Sequence, residues 1–236
     1  MKKRYLFIVS VLMFMMTSCE KVIGEGPVVT ENRNHSNYIG VDLRCSAEVQ
    51  FYQSNEFKVE VSAQQNILDI LITEVYNNRL VIRFKNDTRV KSHEPIRVKV
   101  SAPEGKSFRI SGSGNILAQT PLNPASLDLD ISGSGNIELG QVTTTSIDAN
   151  ISGSGNMRIT SGTAETERLR ISGSGNINFA GVVAQNVTTN TSGSGETRVH
   201  AVNNLNVTIS GSGSVYYLGS PTVNVSISGS GNVRKL

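Results

Sequence analysis

The tetrapeptide Ser-Gly-Ser-Gly occurs seven times in the second half of the chain, starting at Ser111, Ser132, Ser152, Ser172, Ser192, Ser210 and Ser228. The intervals are 21, 20, 20, 20, 18 and 18 residues. A fixed period of this size marks a repeat architecture, in which one small unit cannot bury its apolar face until its neighbours stack on it. Ile precedes the motif in six copies and Thr191 in the other. Asn follows it in five, with Glu196 and Ser214 as the exceptions.

A Gly/Ser string by itself reads as flexible linker, and the flanks reject that. Leu127, Leu129 and Ile131 alternate with Asp128, Asp130 and Ser132, and the phase returns in Ile147-Ala149-Ile151, Leu205-Val207-Ile209 and Val223-Val225-Ile227. After the motif it resumes as Ile137-Leu139, Met157-Ile159 and Ile177-Phe179. Period-two alternation means strands with one buried face. Stacking the units about 4.8 Å apart pairs each strand with its counterparts above and below. The expected fold is therefore all-β: a parallel β-solenoid with 18–21 residues per rung over 107–236, right-handed by the general crossover preference. The competing arrangement is a meander of antiparallel hairpins, which the even intervals and the lack of Asn-Gly turns disfavour. By parity the motif glycines share the side of the buried Ile residues. Either a side chain there would collide across a narrow core, or the glycine supplies a positive-φ corner.

Residues 37–106 have the same flavour without the repeat. Phe57-Val59-Val61, Leu80-Ile82-Phe84 and Ile96-Val98-Val100 read as strands, Tyr76-Asn77-Asn78-Arg79 as a hairpin turn, and Asn66 to Leu71 as one helical turn capped by Asn66. With 6% aromatics and no Trp, such a chain fills a narrow core with Ile, Val and Leu.

A strand-rich lead-in containing QNILDILITEV, an apolar VKVSAP strand and serial ISGSGNI copies resembles the auto-transporter adhesin family with a head GIN domain, common among Bacteroidetes lipoproteins. The resemblance covers residues 36–236. It implies a β-helical domain at the cell envelope and an adhesive role, and it carries no catalytic residues.

The first 18 residues read MKKRYLFIVSVLMFMMTS: a basic start, then an apolar run from Tyr5 to Met16 too short to span a bilayer. Met16-Thr17-Ser18-Cys19 resembles a lipobox, with Met16 where Leu is more usual. The expected layout is a signal peptide over 1–18, a lipidated tether over 19–36 anchored through Cys19, and the β-helical domain over 37–236. Glu20 after the Cys resembles an outer-membrane address. Removing Lys2, Lys3 and Arg4 takes Lys+Arg from 22 to 19 against 19 Asp+Glu, a formal balance of zero. No nucleic-acid partner is expected from that balance. The partners expected are the membrane, through the anchor, and a protein or glycan.

The sharper chemistry is weak. A dinucleotide site needs a third glycine and a following helix, and the sixth place here is Leu117, Glu138, Arg158, Asn178, Arg198, Tyr216 or Arg234. Calcium β-rolls need aspartates where these copies hold Ser and Asn. His35, His93 and His200 lack metal-ligand spacing. No cofactor, metal or catalytic site is expected. Cys45 alternates in phase with Val41, Leu43, Val49 and Phe51 and is expected in the core as a small hydrophobe. Asp128, Asp148 and Arg168 should form one outward column, Asp130, Asn150 and Arg170 a second, and Glu138 and Arg158 a third. Adjacent rungs bring carboxylates within the spacing of a retaining glycosidase pair, yet acid above arginine is also what charge pairing on an exposed sheet looks like. Asn115, Asn136, Asn156 and Asn176, with Asn232, form either an amide ladder or a polar binding stripe.

Overall fold

The structure, a computed structural model, describes residues 20–236; the signal peptide expected over 1–18 and the expected anchor Cys19 lie outside the described residues. The N-terminal part contains β1 (Glu20–Ile23), β2 (Val28–Arg33), β3 (Gly40–Leu43), β4 (Ala47–Gln53), β5 (Lys58–Gln64), α1 (Gln65–Leu68), β6 (Leu71–Tyr76), β7 (Arg79–Phe84), β8 (Thr88–Ser92) and β9 (Ile96–Ala102). The repeats supply β10 (Ser107–Gly112), β11 (Asn115–Ala118), β12 (Ser126–Gly133), β13 (Asn136–Thr143), β14 (Ser146–Gly153), β15 (Asn156–Gly173), β16 (Asn176–Gly193), β17 (Glu196–Gly211), β18 (Ser214–Leu218), β19 (Thr222–Gly229) and β20 (Asn232–Lys235).

The repeats wind as a parallel β-solenoid of about six turns. Each copy of the motif stacks on the one before it. Ile110, Ile131, Ile151, Ile171, Thr191, Ile209 and Ile227 form a single in-register column. Every pairing among β10–β20 is parallel, which removes the hairpin meander. The ladder continues through the corner itself: Ser154 N donates to Gly133 O and Ser174 N to Gly153 O, both at 2.9 Å.

Both readings of the motif glycines hold. The first is the conformational corner: Gly153 has φ 141°, a region that favours Gly. The second is the packing corner. Gly155 is buried, and a Cβ there would stand 2.6 Å from Ile131 Cγ2 and closer still to Gly135 O.

Two further rungs hide in the non-repetitive part. β3 pairs in register with β10, and β4 with β11, so Arg44-Cys45-Ser46-Ala47 occupies the place of Ser-Gly-Ser-Gly. The chain then leaves through β5, α1 and β6 and returns on the other side of that rung as β7 and β9. It crosses back to start β10. Antiparallel strands close this base: β6 on β7, β5 on β9 and β2 on β5. The turn between β6 and β7 carries Asn77 and Asn78 at φ 48° and 58°, the left-handed pair that a two-residue hairpin requires. The aromatic core gathers here too, with Phe51 and Phe108 edge to face at 5.0 Å. Buried Tyr38 donates its hydroxyl to Ser101 O at 2.7 Å. At the other end, the last rung leaves Val225 and Ile227 48% and 41% exposed.

Within the segment expected as a tether over 19–36, the described residues carry two strands that pair with the body, β1 with β8 and β2 with β5. One expectation is corrected: Asn66 does not cap α1, which begins one residue earlier after Gln64. Its amide instead donates to Ile23 O at 2.7 Å and accepts from Glu25 N at 3.0 Å, fastening the segment after β1 to the base.

Candidate functional site

The outward positions of successive rungs stand in straight columns because the parallel register is preserved from rung to rung. Asp128, Asp148 and Arg168 are register partners, as are Asp130, Asn150 and Arg170, and Glu138 and Arg158. Asp148 is held by Arg170 at 3.5 Å and Arg168 at 3.8 Å, and Asp130 by Arg109 at 3.2 Å. The shallow groove between Asp128 and Asp148 is lined by Ser126, Ser146, Asn150 and Arg170. A glycosidase acid must be protonated while its partner stays ionised, which calls for unequal environments. Here Asp148 is paired with two arginines and Asp128 is exposed, and neither carboxylate lies in an apolar pocket. The geometry is that of exposed charge pairing, each pair contributing up to about 1 kcal/mol.

The Asn column is a ladder. Asn136 Nδ2 donates to Asn115 Oδ1 at 2.8 Å, and Asn156 to Asn136 and Asn176 to Asn156 at 2.9 Å. It ends where Glu196 N donates to Asn176 Oδ1 at 3.1 Å. Sequence reasoning missed two shorter ladders on the opposite arm, Asn204 on Asn186 at 2.7 Å and Asn224 on Asn206 at 3.0 Å. These amides hold register along the axis, and their outer edges also give the face an evenly spaced array of donors and acceptors.

Cys45 is buried at the corner of its rung, and burial pushes its thiol up to about 12. It stays protonated and inert near neutral pH. His35 Nε2 meets Thr73 Oγ1 at 2.8 Å in the base, where burial and then the Arg33 charge lower its pKa. Among the described residues no group of His, Cys, Asp and Glu is arranged to hold a metal.

The interior holds what the outer face does not. Glu167 is 1% exposed, with both carboxylate oxygens lacking a partner. It stands in an apolar column between Ile147 and Val187. The next rung toward the C-terminal end carries Thr189, Thr191 and Thr197, all buried with unpartnered hydroxyls. The alternation could have located Glu167, which lies in phase with Leu169 and Ile171.

Parallel rungs, a closed base and laddered polar faces define a β-solenoid protein that presents extended surface. Residues 37–221 match the family described as "putative auto-transporter adhesin, head GIN domain", and the chain belongs to that family. Its fold is shared with a "putative adhesin" from Bacteroides fragilis at 21% identity and a TM-score of 0.86, covering 91% of this chain and 100% of that one. A "putative lipid binding protein" from Parabacteroides distasonis is 27% identical with a TM-score of 0.78, covering 92% and 100%. A "putative adhesin" from the same species is 26% identical with a TM-score of 0.73 and the same coverage. No curated protein matches the chain in sequence.

Proposed function

We propose that this chain is a non-catalytic lipoprotein of the cell envelope, held by acylated Cys19 and acting as an adhesin or scaffold through the outer face of its solenoid. The observation that carries this reading is the outward polar column that keeps its register from Asp128 through Asp148, Arg168, Thr188 and Asn206 to Asn224. A partner that meets such a face meets a polar or charged side chain on every rung, so binding energy is spread over area and not concentrated in a pocket. The adhesin descriptions of the family and of its solved relatives support the same role. The partner class is an extended protein or glycan chain. Screening the protein against envelope glycans, host glycans and matrix proteins tests this. Changing outward Ser and Asn positions rung by rung should weaken binding in graded steps, and complete loss from a single change would contradict the spread-out mode.

Two outcomes follow directly. Mass spectrometry of protein from membranes should find an acylated N-terminal Cys19, and Cys19→Ala should abolish both the modification and normal signal cleavage; an unmodified mature N-terminus elsewhere contradicts the anchor. The double change Asp128→Asn and Asp148→Asn should leave binding intact and alter stability by less than about 2 kcal/mol in total, since the charge pairs are exposed. Glycan turnover by the wild-type domain that disappears in this folded variant would make the protein an enzyme.

A further inference from the structure

We propose that the ribbon of β1 and β8 is a membrane-facing foot that binds the phosphate groups of anionic phospholipids, an inference that rests on the reading of Cys19 as the acylated anchor. Its register carries the argument. Lys21 stands directly opposite Arg89 in a two-stranded parallel ribbon, and both are exposed. Like charges placed opposite each other destabilise a sheet, so this pairing calls for an anion. The direction of the pair is fixed by the next one along: Val22 and Val90 are partly buried against the core, which turns Lys21 and Arg89 outward. Lys91 is exposed at the register shift that follows, and Ile23 beside it is 48% exposed. Cations flanking an exposed aliphatic side chain match a bilayer interface, where phosphates lie just above the acyl region. Arg89 can also take a phosphate with two parallel hydrogen bonds.

Position completes the case. β1 begins at Glu20, the residue after Cys19. Lys21 is thus two residues from the anchor, at most about 7 Å of extended chain, and within the screening length of roughly 8–10 Å at physiological salt. Without the ribbon, Arg89 and Lys91 would not be held beside the anchor. The ribbon is also pinned to the body: Gly24 N donates to Ser92 O at 2.8 Å, and Asn66 grips Ile23 and Glu25. The foot therefore sets the angle at which the solenoid leaves the membrane.

The test uses protein purified from membranes, with its acyl chains scored by mass spectrometry. It is reconstituted into vesicles of phosphatidylcholine, with or without phosphatidylglycerol, and acetylation rates of the Lys21 and Lys91 amines are read. Phosphatidylglycerol should slow both several-fold at low salt. High salt should restore them, and Lys235 on the last rung should not change. Equal rates in the two vesicle types overturn the foot. Absence of acyl chains overturns the anchor alone, and the foot is then tested by co-sedimenting the same chain with phosphatidylglycerol vesicles. There the combined Lys21→Gln, Arg89→Gln, Lys91→Gln variant should lose about 100-fold in partitioning, from three juxtamembrane cations at about fivefold each. Unchanged partitioning of that variant overturns the proposal.

Discussion

Replacing Gly153 or Gly155 by Val should lower the thermal unfolding midpoint by about 6–12 °C, while Ser154→Val between them should shift it by no more than a few degrees. At Gly153 the backbone has φ 141°, and a Cβ would press on Gly133 O, the carbonyl that accepts the Ser154 N–H. Backbone strain of this kind costs about 1–3 kcal/mol, and a disturbed ladder bond adds to it. At Gly155 the φ is ordinary but space is absent, because Ile131 Cγ2 and Gly135 O already fill the place of a side chain. Overpacking a close-packed core costs about 1–3 kcal/mol or more. A loss near 3 kcal/mol in a domain of this size converts to the stated shift, at about 2–4 °C per kcal/mol. Ser154 points outward and is exposed, so its substitution meets neither obstacle. Matching midpoints for Gly153→Val and Ser154→Val would show that the corner is not what sets the stacking.

The repeats were legible because corner and strand are both encoded locally: two glycines at a tight bend, then strict alternation on either side. The first rung was not legible, since Arg44-Cys45-Ser46-Ala47 replaces the glycine motif and only stacking on Ser111-Gly112-Ser113-Gly114 reveals the equivalence. Alternation placed Cys45 in the core correctly, but it sits at the corner and not within a strand. Chain order also conceals stacking order, because β7 and β9 come later in sequence yet lie on the base side of β3 and β4. The strand after Cys19 is not legible for a related reason. β1 has four residues and finds its partner at Thr88–Ser92, far along the chain; a strand that short carries no readable period. The outward charge columns and the first Asn ladder were legible because their spacing follows the repeat. Asn186 and Asn206 were overlooked because the Asn pairs shift column between consecutive rungs.

Glu167→Leu should stabilise the protein by about 2–3 kcal/mol near pH 4.5, the scale of burying a polar group without a partner, and by more near neutral pH. The neighbours in its column are Ile147 and Val187, with Leu127 and Leu205 further along, so a leucine has the shape the rungs on either side already use. Desolvation raises the Glu167 pKa well above its ordinary 4.5. The direction of the pH effect follows. Below about pH 4 the acid is protonated in folded and unfolded chains alike, and only the burial of a neutral carboxyl is felt. Above 4.5 the unfolded chain ionises while the folded chain keeps its proton. Stability then falls as pH rises, by about tenfold in the folding equilibrium per pH unit until the folded-state value is reached. Glu167→Leu should remove that decline and raise the midpoint of urea unfolding more at pH 7.5 than at pH 4.5. Glu167→Gln separates the two contributions, since it abolishes the titration but leaves an unpartnered polar group in the core. It should flatten the pH profile while gaining less than the leucine. A wild-type decline above pH 4.5 that persists unchanged in Glu167→Leu would place its origin in another group.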